Sequence, residues 1–88
     1  MQVIKNAVSG TLESSDIYIE VLPGKGVEID LSSPVIRQFG ESIKKTMLGV
    51  VRGLGIEDVH IRAHDQGAMD CVIQARLETA LLRAGEEN

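Results

Sequence analysis

Apolar and polar residues alternate with period two over three short segments in the first third of the chain. The side expected to be buried holds Val8, Gly10 and Leu12 in the first segment. The alternation resumes from residue 17 to residue 21 and again from residue 27 to residue 31. Because successive side chains of a strand point to opposite faces of a sheet, this period predicts three β-strands that share one buried face.

Two connections join these segments and set the expected pairing. Residues 13–16 (Glu-Ser-Ser-Asp) predict a hairpin tip, and residues 23–26 (Pro-Gly-Lys-Gly) predict a second turn. If Leu12 lies opposite Ile17 in an antiparallel meander, every apolar row falls on the same side. The expected polar side carries Thr11, Tyr18, Glu20, Glu28 and Asp30.

Two helices and a fourth strand follow along the chain. Ser33 and Pro34 predict a helix start, because a hydroxyl N-cap followed by proline suits the first turn; this helix runs to about Gly53. Apolar and polar residues alternate over residues 59–63 and predict the fourth strand. Helical spacing of apolar residues over residues 70–84 predicts the second helix. The apolar stripe of the first helix is Ile36, Phe39, Ile43, Met47, Val50 or Val51, and Leu54.

The element order β-β-β-α-β-α predicts an α+β fold. The simplest arrangement is a two-layer sandwich, a mostly antiparallel sheet with two helices on one face. A right-handed crossover from the third strand then allows the fourth strand to lie beside the first. Residues 1–88 are expected to form a single domain.

The chain's size and charge limit its function. Its 88 residues are too few to enclose a deep active site without losing much of the core, so an enzyme that works alone is disfavoured. Thirteen acidic against nine basic residues give a formal charge of -4, and the longest basic run is the pair Lys44 and Lys45. This balance argues against nucleic acid and membrane surfaces, so the expected partners are proteins or small molecules.

The single cysteine, Cys71, has no internal disulfide partner, and the sequence shows neither a signal peptide nor an apolar run long enough to span a bilayer. A cytoplasmic location is therefore expected.

Cys71 lies near a predicted helix start, where the helix dipole favours a thiolate, but a small core residue is the favoured interpretation. His60 and His64, even with Asp65, lack a clear third ligand, so no metal site is predicted.

The tip at residues 13–16 is the segment that folding explains least. Tight hairpins need positive φ angles that Ser-Ser does not favour, and Glu13 and Asp16 would place like charges opposite each other. A solvated loop is one interpretation. The other is a serine presented to the active site of a separate enzyme, since no histidine near it in sequence activates it. The residues alone do not separate Ser14 from Ser15.

Residues 7–16 (Ala-Val-Ser-Gly-Thr-Leu-Glu-Ser-Ser-Asp) strongly resemble the prosthetic-group attachment region of the citrate lyase acyl carrier proteins, the gamma subunits of that enzyme. Residues 38–40, 65–71 and 75–78 also resemble this family, in order, over nearly the whole chain. The resemblance implies that Ser14 carries 2′-(5″-phosphoribosyl)-3′-dephospho-coenzyme A through a phosphodiester bond, installed by a dedicated transferase. It also implies that the position of Ser15 varies to glycine among relatives.

The resemblance further implies a non-catalytic carrier subunit whose working thiol belongs to the cofactor. The alpha subunit would exchange acetyl for citryl on that thiol, and the beta subunit would cleave the citryl thioester to oxaloacetate. Glu13 and Asp16 are then hypothesised to guide the transferase or to repel the anionic arm. The alternatives are the carrier subunit of malonate decarboxylase and a structural subunit without covalent cargo.

Overall fold

The elements follow one another in the order that the sequence predicts. The computed structural model describes residues 1–86, which contain four strands and two helices. Both helices pack on one face of the sheet, as predicted for an α+β sandwich. Neither helix in this range is long and apolar enough to cross a membrane. The elements are β1 (Ala7–Gly10), β2 (Ile17–Leu22), β3 (Val27–Ser32), α1 (Ile36–Gly53), β4 (Val59–Asp65) and α2 (Asp70–Ala84).

The strand order differs from the predicted meander. The sheet has the order β1-β2-β4-β3, so β4 lies between β2 and β3, and the expected positions of β3 beside β2 and of β4 beside β1 were both wrong. Two pairings are antiparallel, and β3 pairs with β4 in parallel across the α1 connection. In this central position the inward β4 residues Val59, Ile61 and Ala63 are almost fully buried, whereas Ile29 and Leu31 on the edge strand β3 are only half-buried.

The connection at residues 23–26 is a bridge across the start of β4 rather than a hairpin turn. Gly24 passes so near this strand that an added Cβ would lie 3.1 Å from the backbone nitrogen of His60. The Gly26 N–H donates to Asp58 Oδ1 at 2.8 Å, and the Val59 N–H donates to the Gly26 carbonyl at 2.9 Å. With these contacts the connection crosses the end of β4, so that β3 lies on the side of β4 opposite to β2.

The register of β1 is shifted by one residue from the predicted one. Ala7 pairs with Val21 and Ser9 with Ile19, so Ala7 and Ser9 face the helices. The expected inward residues Val8 and Leu12 are instead 44% and 62% exposed. The loop between β1 and β2 has six residues, and this length changes which side chains of β1 point inward.

The helix bounds agree with the sequence except at the start of α1. The Ser33 and Pro34 prediction was wrong by two residues, because α1 begins at Ile36 after a turn and Val35 occupies the N-cap without a side-chain bond. The predicted stripe also fails at its N-terminal end, where Phe39 is 55% exposed. The buried residues of α1 are Gly40, Ile43, Met47 and Val51.

Candidate functional site

The loop at residues 11–16 presents Ser14 and Ser15 to solvent between β1 and β2. The Asp16 N–H donates to the Glu13 carbonyl at 3.1 Å and closes the turn around both serines. Ser15 has a φ of 65°, the left-handed region that glycine adopts at lower cost. The tip therefore uses a serine in the positive-φ position that a tight turn requires.

Backbone hydrogen bonds fix this loop to the end of β4. The Ser15 N–H donates to the Gln66 carbonyl at 2.8 Å, and the Gln66 N–H donates to the Asp16 carbonyl at 2.9 Å. The two bonds extend the pairing between β2 and β4 by one step beyond Asp65. Ser14 is therefore held next to an anchored residue rather than at the end of a free ribbon.

The Asp16 side chain is the polar centre of the loop. Its Oδ2 accepts a hydrogen bond from the Thr11 hydroxyl at 2.7 Å, and its Oδ1 accepts one from the Ile17 N–H at 2.8 Å. The Arg76 guanidinium from α2 donates to both oxygens, at 3.0 and 2.9 Å. Hydrogen bonds from Thr11, Arg76 and Ile17 lower the pKa of Asp16 to about 2.

This arrangement changes the interpretation of the two acids at the tip. Asp16 is paired with Arg76 and holds the loop, so its charge is largely compensated rather than directed at a ligand. Glu13 is exposed, and its N–H donates to the Thr11 hydroxyl at 3.2 Å. Of the two carboxylates, only Glu13 keeps a fully exposed position from which it can act on a partner or on an anionic group.

Gly10 allows the chain to enter the loop. Its φ is 89°, and an added Cβ would lie 2.9 Å from the carbonyl carbon of Ile17 and would overlap the carbonyl oxygen. Since real Cβ atoms essentially never come this close to backbone, the position excludes every side chain. Gly10 therefore sets the path of the loop that carries Ser14.

The turn from β4 into α2 borders the same loop. Asp65 is buried there, and its carboxylate accepts hydrogen bonds from the Ser33 hydroxyl at 2.8 Å and from the Ala68 N–H at 2.9 Å. The Val35 N–H donates to the Ser33 oxygen at 3.2 Å, so Ser33 ties the start of α1 to Asp65 instead of capping the helix. One carboxylate thus organises two connections beside the tip.

The other predicted candidates lie elsewhere. His60 and His64 are on the sheet face away from the helices, hydrogen-bonded to Asp30 at 2.7 Å and to Ser32 at 2.8 Å. Within residues 1–86, no group of three or more His, Cys, Asp and Glu side chains is placed to hold a metal ion. Cys71 is exposed, so the prediction of a core cysteine was wrong. It precedes buried Ile73 by two positions, about 200° around the helix, which places it on the opposite side of α2.

Sequence reasoning missed Arg76 and Gln66 as parts of the site. Arg76 lies three residues after buried Ile73 on α2, so it borders the face of the helix that packs on the sheet. A cation at such a position needs an anionic partner, and this requirement is the available sequence signal. The partner, Asp16, lies sixty residues away in sequence. Gln66 contributes only its backbone, which carries no residue signal.

Comparison with known proteins identifies the group to which the chain is related. The acyl carrier protein family model described as the malonate decarboxylase delta subunit (MdcD) matches residues 4–84. The citrate lyase acyl carrier protein of Serratia proteamaculans is 49% identical over 86 residues, which are 96% of this chain and 84% of that protein. Its counterpart in Haemophilus influenzae is 46% identical over 87 residues, 99% and 92% of the two chains.

A solved structure shares the fold. It is a chain in the crystal structure of a Pseudomonas malonate decarboxylase hetero-tetramer in complex with malonate, with a TM-score of 0.82 and 22% identity. The match covers 94% of this chain and 87% of that one. At this identity the likeness establishes the fold alone, and the family is shown by the sequence matches over nearly the whole chain. This chain belongs to the family of the citrate lyase acyl carrier proteins.

Proposed function

We propose that this chain is the acyl carrier subunit of citrate lyase, a single cytoplasmic domain that carries 2′-(5″-phosphoribosyl)-3′-dephospho-coenzyme A on Ser14. The observation that supports the proposal most is the exposed Ser14 on a loop that backbone and side-chain contacts anchor on both sides. The related citrate lyase acyl carrier proteins support the choice of enzyme.

The residues present fit an attached group at Ser14. Ser14 is exposed, and Arg76 compensates the charge of Asp16, so Glu13 is the one acid of the loop that adds negative charge beside an anionic phosphodiester. Attachment would form an Oγ–P bond to an activated phosphoribosyl donor and break the bond between that phosphorus and the donor's phosphate leaving group, while the hydroxyl proton passes to a base. The two histidines hydrogen-bond to Asp30 and Ser32 on the outer sheet face, so a separate transferase has to supply that base.

The attached arm supplies the thiol that holds an acyl group as a thioester. The alpha subunit would exchange acetyl for citryl on that thiol and release acetate. The beta subunit would cleave the citryl thioester to oxaloacetate and restore the acetyl thioester, so that citrate would give acetate and oxaloacetate in total. Tethering raises the effective concentration of the thioester at each active site. This chain contributes the anchored tip that both partners reach.

The intact mass of the protein tests the assignment of Ser14. The protein is purified from its native host during growth on citrate, as wild type and as the variants Ser14→Ala and Ser15→Ala. We expect an adduct of the mass of the phosphoribosyl dephospho-coenzyme A group on wild type and on Ser15→Ala, and none on Ser14→Ala. A bare wild-type chain from citrate-fermenting cells would refute the carrier function.

The carrier subunit of malonate decarboxylase is the second candidate. It is favoured by the family model that matches residues 4–84 and by the fold shared with a chain of the Pseudomonas hetero-tetramer. Turnover separates the two functions when the modified carrier is mixed with the partner subunits of each enzyme. Restoration of citrate cleavage supports the first proposal, and restoration of malonate decarboxylation alone supports the second.

A further inference from the structure

An open cleft of about 530 Å³ lies between the N-terminal turns of α1 and α2. Phe39 and Met69 line it, and they are 55% and 70% exposed. Among the large apolar side chains of residues 1–86, Leu12 is the only other one that is more than half exposed. Ser42, buried Asp65 and exposed Asp70 are the three polar side chains of the lining. An apolar cleft of this size with few polar groups is typical of small-molecule sites.

The cleft is directly connected to the loop that carries Ser14. Gln66 forms the two backbone hydrogen bonds that anchor Ser15 and Asp16, and the next residue, Gly67, lines the cleft. The same stretch continues through Met69 into α2. A group bonded to Ser14 is therefore attached to a loop that adjoins the residues lining the cleft.

We propose that this cleft is a resting site for the neutral pantetheine segment of the arm on Ser14, an inference that rests on the proposed function. Each Asp65 oxygen accepts one hydrogen bond and retains a lone pair, so Asp65 and the Ser42 hydroxyl can accept bonds from the amide N–H groups of pantetheine. Exposed Asp70 lines the cleft together with Asp65. The negative charge of these two carboxylates disfavours phosphate groups inside the cleft and leaves the neutral segment as the favoured occupant.

Weak binding is sufficient because the ligand is tethered. The phosphoribosyl and nucleotide parts of the arm tether the pantetheine to Ser14, and a flexible tether that spans the distance to a site gives an effective concentration in the millimolar range. A segment whose free counterpart binds with a Kd of about 1 mM is then bound for about half of the time. The arm is partly shielded at rest, and it leaves the cleft at little cost when a partner active site binds it more tightly.

Side-chain NMR tests the site independently of enzyme activity. We compare the Met69 methyl and Phe39 ring signals of the modified and unmodified chains, and we titrate free pantetheine into the unmodified chain at millimolar concentrations. The expected result is a change of both signals in the modified chain and the same change, saturable, with free pantetheine. An adduct on Ser14 with unchanged Met69 and Phe39 signals overturns the proposal and leaves the carrier function intact.

The reactivity of the arm thiol supplies a second readout. Alkylation rates are measured in a Cys71→Ser background, since Cys71 is exposed and would react as well. Phe39→Glu and Met69→Glu should raise the rate about twofold, as expected if the cleft shields the thiol for half of the time. Leu82→Glu is the control, because Leu82 is an exposed apolar residue of α2 (45% exposed) that neither lines the cleft nor lies on the loop that carries Ser14. Circular dichroism checks that each variant is folded.

The remaining outcomes are also decisive. If the chain carries no adduct, the proposed function fails, and the titration with free pantetheine still tests the cleft by itself: saturable shifts support the site and their absence overturns it. If Phe39→Glu leaves the alkylation rate unchanged but slows turnover with the partner subunits, the cleft contacts a protein, and the resting site is refuted.

Discussion

Replacement of Gly10 by alanine should destabilise the fold more than any other glycine substitution that the loop region offers. The added Cβ would lie 2.9 Å from the Ile17 carbonyl carbon and would overlap its oxygen, and both groups are backbone. Neither can move aside as the end of a long side chain could. The β1 and β2 strands must therefore separate at the point where they lead into the Ser14 loop.

The size of the effect follows from two contributions. A non-glycine residue at a φ of 89° costs about 1–2 kcal/mol, and overpacking costs about 1–3 kcal/mol. The reduced entropy of the unfolded chain offsets about 0.4–1 kcal/mol of this. The net loss of about 1–5 kcal/mol is a large part of the stability of a small domain, and each kcal/mol lost should lower Tm by about 4–8 °C.

Urea denaturation followed by circular dichroism measures the loss, and Gly26→Ala is the matched control. Gly26 has a φ of 68°, but an added Cβ would meet nothing within 4 Å, so this variant should lose only the conformational contribution of about 1 kcal/mol. The difference between the variants isolates the contact with Ile17. If Gly10→Ala loses no more stability than Gly26→Ala, the argument from close approach is refuted.

Two further predictions concern the same loop. Because folding lowers the pKa of Asp16 from 3.8 to about 2, its stabilising contribution should be present above about pH 4 and disappear as the pH falls towards 2. Urea denaturation from pH 5 to 2 should show this acid-dependent loss in wild type and a smaller one in Asp16→Asn; equal losses contradict the assignment. Ser15→Gly should leave the free energy of unfolding unchanged or raise it by up to about 1 kcal/mol, since Ser15 has a positive φ, whereas Ser15→Val should lower it. Thermal unfolding checks both variants, and a destabilised Ser15→Gly would contradict the φ argument.

The sequence predicts the elements well because their signals are local. Alternation at residues 59–63 and the apolar spacing in residues 70–84 identify β4 and α2, and the structure confirms both. Alternation says which side chains share a face, but it does not say which strands are neighbours. The order β1-β2-β4-β3 depends on the relative burial of whole strands and on the bridge at residues 23–26, so the meander was the wrong choice.

The candidate site also has parts that the sequence shows and parts that only the folded structure shows. The exposed tip and the suboptimal turn at residues 13–16 were visible in the sequence, and the preference for Ser14 over Ser15 came from the family resemblance and stays a prediction. The pairing of Asp16 with Arg76 was not visible, because the two residues meet only after α2 packs against β1 and β2. The sequence interpretation treated Asp16 as a surface charge, whereas tertiary packing makes it the residue that holds the loop.

The contacts of the loop explain how a small chain can present an exposed serine in a defined position with so few residues. The path of the loop is set by Gly10, its middle is bonded to Gln66, and its end is held by Arg76 through Asp16. These contacts come from β1, from the residue that follows β4, and from α2, so the position of Ser14 depends on the whole fold rather than on the local sequence. Under the proposed function, a transferase that modifies Ser14 would bind a loop that these contacts already order, and it would avoid the entropy cost of ordering a flexible loop.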